Sequence, residues 1–197
     1  MKRLGLKSTV LATATALISS LGMTSSIAFA KQTTLNIGMA SADAGKLDPH
    51  IATTTPDKGL LHWMFNGLVR ITPGQSNPGL IEPDIASSWT TSDDGLTWVF
   101  TMRDDVECHG EYGNLDAEDV VFSLRRSSNK EQSSFSGDFA AFKSIEATGD
   151  YEVTITLSNP IPSLLGTLVP YHGGNIVCKD AVEALGEGYE RSPIGTG

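Results

Sequence analysis

Two runs of strict alternation dictate how this chain can fold. Leu96, Trp98, Phe100 and Met102 are bulky and apolar, with Thr97, Val99, Thr101 and Arg103 between them. Tyr151, Val153, Ile155 and Leu157 repeat the pattern around Glu152, Thr154 and Thr156. A period of two sends alternate side chains to opposite faces of a β-strand, so each run predicts a strand with one face on a core. A turn at Ser92-Asp93-Asp94-Gly95 precedes the first. Gly149-Asp150 precedes the second and makes 144–148 and 151–157 a hairpin. Between the runs, Asp116 can accept hydrogen bonds from the free amides of a helix start. Glu118 and Asp119 suit the positive end of its dipole, and Arg125 and Arg126 the negative end. Val120, Val121 and Leu124 supply its buried face.

Weaker signals fill the rest. Residues 35–40 predict a first strand. Pro56 and Asp57 open a helix carrying Leu60, Leu61, Met64, Phe65 and Leu68 at helical spacing, with Gly67 as its C-cap. Residues 80–89 read as a linking segment anchored by Ile85 and Trp89, 106–109 as a short strand, and 129–137 as a polar surface loop. Short helices are expected over 163–169 and 179–185, the second closed by Gly186 and Gly188. Strands and helices mix without regular βαβ alternation, so the class is α/β in the broad sense, mixed α+β.

The first thirty residues stand apart. Lys2, Arg3 and Lys7 precede a mostly apolar stretch over 10–21, and Ala28-Phe29-Ala30 has the small-x-small form of a signal-peptidase site, so cleavage is expected after Ala30. An uncleaved anchor would need about 20 apolar residues. No cysteine precedes Cys108, which excludes a lipidated form. Three of the 14 basic residues and none of the 23 acidic ones fall in this leader, leaving 167 residues with a net charge of −12. Such a surface does not suit nucleic acid or an anionic membrane.

Cys108 and Cys178 are the two cysteines. In an oxidising compartment they can pair, closing a 70-residue loop worth about 4 kcal/mol on a chain-entropy model. The alternative is two buried thiols. Enzymatic readings are poor. His172-Gly173-Gly174 resembles an oxyanion-hole motif, but no Gly-x-Ser-x-Gly elbow accompanies it, and a glycine turn explains it. Cys108 and His109 are adjacent, so on a strand they face opposite ways. No ligand pair has zinc-site spacing. A helix start accounts for Asp116, Glu118 and Asp119. No catalytic residue, metal or cofactor is expected.

Several phrases occur together in order. They are Leu47-Asp48-Pro49-His50, Phe65-Asn66-Gly67-Leu68-Val69, and the stretch from Pro78-Gly79-Leu80 through Glu82-Pro83-Asp84-Ile85-Ala86 to Trp89. Ser92-Asp93-Asp94-Gly95-Leu96-Thr97-Trp98, Asp116-Ala117-Glu118-Asp119-Val120 and the 151–157 hairpin strand follow, then Ser192-Pro193-Ile194-Gly195-Thr196-Gly197. The set resembles the family-5 extracellular solute-binding proteins, which deliver peptides, nickel and other solutes to ABC importers. It departs from the family at Cys108-His109-Gly110-Glu111-Tyr112-Gly113, where an aromatic followed by His-Asp-Gly is common.

The resemblance implies a type II periplasmic-binding-protein-like fold, of which this chain is the N-terminal part of lobe I with its extra subdomain, lobe II missing. Residues 31–46 would be the first strand of lobe I, 47–188 the extra subdomain and 189–197 the start of the return to lobe I. It also implies a monomeric periplasmic protein that hands a peptide, or alternatively nickel, a metallophore or an opine-like solute, to a permease in the inner membrane. Site residues carried over from the family are Thr53, Thr54 and Thr55 in the loop after Leu-Asp-Pro, and Phe135 or Ser136 after the Asp119 helix. The threonines could equally serve only to cap the next helix.

Overall fold

The structure is a computed structural model that describes residues 43–197, apart from 76 and 78, together with Asn36, Gly38 and Met39. Contacts divide the chain into Met1–Ile37 and Gly38–Gly197, and the fold below is that of the second unit. The expected strand at 35–40 and the leader lie largely or wholly outside the described residues.

Along the chain run α1 (Thr55–Met64), β1 (Val69–Ile71), β2 (Ile81–Pro83), β3 (Ala86–Thr91), β4 (Thr97–Met102), α2 (Ala117–Ser128), β5 (Phe142–Gly149), β6 (Glu152–Leu157), α3 (Leu164–Thr167) and α4 (Lys179–Leu185), with 3-10 turns at Ser136–Phe139 and Gly186–Glu190. Strands β3, β4, β6 and β5 form, in that order, a four-stranded antiparallel sheet, and β1 and β2 pair separately. Among the described residues no helix is long and apolar enough to cross a membrane.

Both alternating runs become the central strands. Phe100 lies opposite Val153 and Trp98 opposite Ile155. Phe100, Met102, Val153, Ile155 and Leu157 are buried, as are Val120, Val121 and Leu124 of α2, which lies on β5 and β6. Each such side chain contributes roughly 1.5–3 kcal/mol when fully buried. Trp89 of β3 faces Phe100, with ring centroids 6.3 Å apart, and stays only half-buried. At the turn before β4, Asp94 Oδ1 accepts from Ser92 Oγ at 2.6 Å and from the Leu96 amide at 3.0 Å. Gly95 supplies the positive φ, 68°, that the turn needs.

The register of α2 is fixed at its start. Asp116 accepts from the amides of Glu118 (2.8 Å) and Asp119 (3.2 Å), and Asp119 accepts from the Asp116 amide at 3.0 Å. This reciprocal capping box occupies both carboxylates.

Three local expectations fail. Helix α1 ends at Met64, and its C-cap is Phe65 in extended conformation, not Gly67. Gly67 is instead wedged against another segment: a Cβ there would stand 2.6 Å from the Leu168 carbonyl oxygen. Residues 80–89 are not a linker but carry β2 and β3, because Asp84 binds Asn66 and the Gly67 amide and pins the segment between two sheets. Residues 106–109 form no strand, only an isolated bridge from Glu107 to Asn114. Gly110 and Gly113, at φ 79° and 75°, turn the chain too tightly for a ladder.

Cys108 and Cys178 are joined as a disulfide with Cα atoms 6.2 Å apart. Cys178 is also the N-cap residue of α4, so the bond ties the loop before α2 to the start of α4.

Candidate functional site

The segment 47–58 has two faces. On the inner one, Asp48 and His50 are 3% and 0% exposed. Arg126, in the last turn of α2, donates from Nη1 to Asp48 Oδ1 at 2.9 Å, and its Nη2 also binds Asp48 Oδ2. Asp48 Oδ1 accepts the His50 amide at 3.0 Å as well. Arg126 Nη1 lies 2.8 Å from His50 Nδ1, and His50 Nε2 lies 2.9 Å from the Asn175 carbonyl. A guanidinium only donates, so Nδ1 must accept and Nε2 must carry the proton. The ring is neutral. Burial first and the Arg126 charge second push its pKa down to about 4. Nearby, Tyr189 donates to the Ile194 carbonyl at 2.8 Å, and burial pushes its phenol well above the ordinary range. With no exposed proton donor, this cluster fastens the loop to α2 rather than serving acid–base chemistry.

The outer face carries the residues predicted for the site. Thr53, Thr54 and Thr55 are exposed. Thr54 is the N-cap of α1, its hydroxyl accepting from the Asp57 amide at a long 3.4 Å. The Thr53 and Thr55 hydroxyls make no hydrogen bond among the described residues. Capping therefore explains one threonine of three.

Phe135 and Ser136, eighty residues on, are brought to this loop. The Ser134 amide donates to the His50 carbonyl at 2.9 Å, and its hydroxyl to the Ile51 carbonyl at 3.0 Å. Phe135 then lies under α1, with Lys58 Nζ 5.1 Å from its ring centroid. Ser136 opens the 3-10 turn ending at the buried Phe139.

Lys58, Tyr171 and His172 belong to the same surface, and sequence reasoning missed them. Lys58 Nζ stands 4.8 Å from the Tyr171 ring centroid. His172 is stacked on Phe135 at 5.6 Å and 12° and lies 4.6 Å from Tyr171. The signal was the Gly173-Gly174 pair beside two rings. Gly173 has φ 86°, and a Cβ there would meet Phe135 Cβ at 3.0 Å. Its carbonyl accepts from Ser127 Oγ at 2.6 Å. The glycine turn seats the His172 ring on Phe135.

The remaining phrases meet at the end of α1. Asn66 Nδ2 donates to Asp84 Oδ1 at 2.9 Å, and Thr196 Oγ1 to Asn66 Oδ1 at 3.0 Å. The Gly197 amide donates to the Met64 carbonyl at 3.1 Å, and the His109 amide to the Gly195 carbonyl at 2.9 Å. A Cβ on Gly195 would overlap the Met64 carbonyl oxygen. These motifs hold strands and helix ends together. A separate open cleft of about 580 Å³, lined by Asp116, Glu118, Asp150 and Tyr151 among others, lies at the far end of α2, away from every predicted site residue. The Asp116 carboxylate there is engaged in capping.

Residues 81–197 match the family model for bacterial extracellular solute-binding proteins, family 5. The chain is 33% identical over 138 residues to the "Probable D,D-dipeptide-binding periplasmic protein" of Escherichia coli (strain K12), covering 68% of this chain and 26% of that protein. Among solved structures, MoaA from A. tumefaciens R10 in complex with mannopinic acid superposes with a TM-score of 0.79 at 46% identity, over 80% of this chain and 32% of that one. DppA from Helicobacter pylori in complex with the peptide STSA superposes with a TM-score of 0.68 at 29% identity, over 79% of this chain and 34% of that one. The chain thus spans about a quarter to a third of the length of these relatives. Its mixed helix-and-sheet fold is that of the periplasmic binding proteins, and the chain belongs to the bacterial extracellular solute-binding proteins of family 5.

Proposed function

We propose that this chain contributes one wall of the solute site of an ABC-importer binding protein, with Thr53, Thr54, Thr55, Phe135 and Ser136 on that wall. The protein is exported to the periplasm, loses residues 1–30 after Ala30, and as a monomer passes its solute to an inner-membrane permease. Within the wall's framework, 31–46 begins lobe I, 47–188 is its extra subdomain and 189–197 starts the return. The transport role needs no catalytic group. The observation that carries the reading is the convergence of two distant stretches: Ser134 binds the His50 and Ile51 carbonyls, joining an exposed hydroxyl-bearing loop to an aromatic ring. Backbone and hydroxyl groups in an extended loop suit a peptide main chain.

The first reading of the cargo is a short peptide, as the names of the Escherichia coli and Helicobacter pylori relatives suggest. A second reading, a small acid of the mannopinic kind, is favoured by the higher identity, 46%, to the protein holding that ligand. Mass spectrometry of small molecules released on denaturing the protein, purified from its periplasm without refolding, decides between them. A ladder of peptides supports the first and a single mannopinic-type acid the second. A protein saturated with nickel, or one that takes up neither class when both are supplied, contradicts both cargo readings.

A further inference from the structure

We infer that Lys58 is a carboxylate-anchoring residue of this surface, and that the Tyr171–His172–Phe135 ring pile holds its ammonium ready for an acidic solute. This rests on the reading that the wall around residues 53–55 faces solute. Lys58 belongs to the first turn of α1, its amide donating to the Thr54 carbonyl at 3.0 Å. Thr54 and Thr55, four and three residues before it, lie one turn away on the same side of the helix.

No carboxylate pairs with it among the described residues, although the chain carries 23 acidic side chains. Lys46 and Lys179, by contrast, pair with Glu190 and Glu183. The Lys58 ammonium is placed over two rings, 5.1 Å from the Phe135 centroid and 4.8 Å from that of Tyr171. Ring faces attract a cation through their quadrupole but supply no hydrogen-bond acceptor oxygen. The three ammonium protons thus remain available for an incoming anion.

The rings are also held in position. Gly173 permits the close approach to Phe135, Ser127 binds the Gly173 carbonyl, and His172 stacks on Phe135 and touches Tyr171. Tyr171 is 55% exposed, so its ring can cover an apolar or sugar-like part of the solute while Lys58 takes the acid. A peptide and mannopinic acid both carry a carboxylate. Lys58 therefore suits either cargo and selects against their amides or esters.

The test is an NMR titration of the isotope-labelled full chain with three probes: alanyl-alanine, its C-terminal amide, and mannopinic acid. Titration to millimolar concentration reads weak binding directly. The expected result is perturbation of Thr53 to Thr55, Phe135, Tyr171 and the Lys58 side chain by the acids. Lys58→Gln should weaken the acids about tenfold, on the scale of a lost charged hydrogen bond, and the amide less than twofold. Lys58→Arg should restore most of the preference. Acids that perturb Thr53 to Thr55 and Phe135 but bind Lys58→Gln as tightly as wild type overturn this inference and leave the solute reading standing. If no probe perturbs Thr53 to Thr55 or Phe135, the solute reading falls and this inference falls with it.

Discussion

The inner and outer faces of the segment 47–58 are built from opposite kinds of chemistry within a dozen residues. Inward, Asp48 and His50 are buried and bound to Arg126 and Asn175. Outward, Thr53 and Thr55 are exposed without a hydrogen-bond partner among the described residues, and Lys58 rests on rings instead of a carboxylate. A buried polar group without a partner is costly, so the inner face is fully determined by its neighbours. An exposed one has water as an alternative and can exchange it for solute. The difference separates residues that hold the loop from residues able to contact something else.

This contrast makes unequal demands on substitutions. Replacing Arg126 by Met leaves the Asp48 carboxylate buried and uncompensated, and about 3–5 kcal/mol of stability should be lost, measured by urea denaturation. Replacing Cys108 and Cys178 together by Ser should cost about 2–4 kcal/mol, because the 70-residue loop is no longer closed in the unfolded chain. Both are expected to act through stability alone.

The pH response should also come from the inner face. The His50 pKa is lowered from 6.5 to about 4 in the folded chain, so between those values the unfolded state binds the extra proton. Stability is intact above pH 6.5 and falls as the pH drops toward about 4, by on the order of 3 kcal/mol. Denaturation midpoints across that range should show the slope, and His50→Gln should flatten it. Smallest of all, Thr53→Ala and Thr55→Ala should shift stability by no more than about 0.5 kcal/mol while weakening solute. A larger stability loss at either threonine would erase the distinction between the two faces.

The sequence revealed the inner architecture better than the outer. Strands β4 and β6 were legible because a buried face enforces period two, and Asp116 because a cap has one dominant chemistry. The end of α1 was misplaced because Gly67 is a glycine for close approach to Leu168, not for a helix stop; composition alone does not separate those causes. Residues 80–89 hid β2 and β3 because both are short or exposed, so neither shows a full alternation. Thr53 to Thr55 entered only through the family resemblance, which also suggested Phe135. Lys58 left no local signal, and the glycine pair beside Tyr171 and His172 pointed only to a turn: their grouping depends on contacts spanning more than a hundred residues.

The central claim is that solute meets the outer face of this segment. A crystal structure of the protein with the solute identified by mass spectrometry tests it most directly. Solute atoms are expected in contact with Thr53 to Thr55 and Phe135, with a carboxylate at Lys58 and the Asp48–Arg126 pair unchanged. Solute seated at Arg126, in the cleft beside Asp116 and Asp150, or on the outer face of the four-stranded sheet would contradict it.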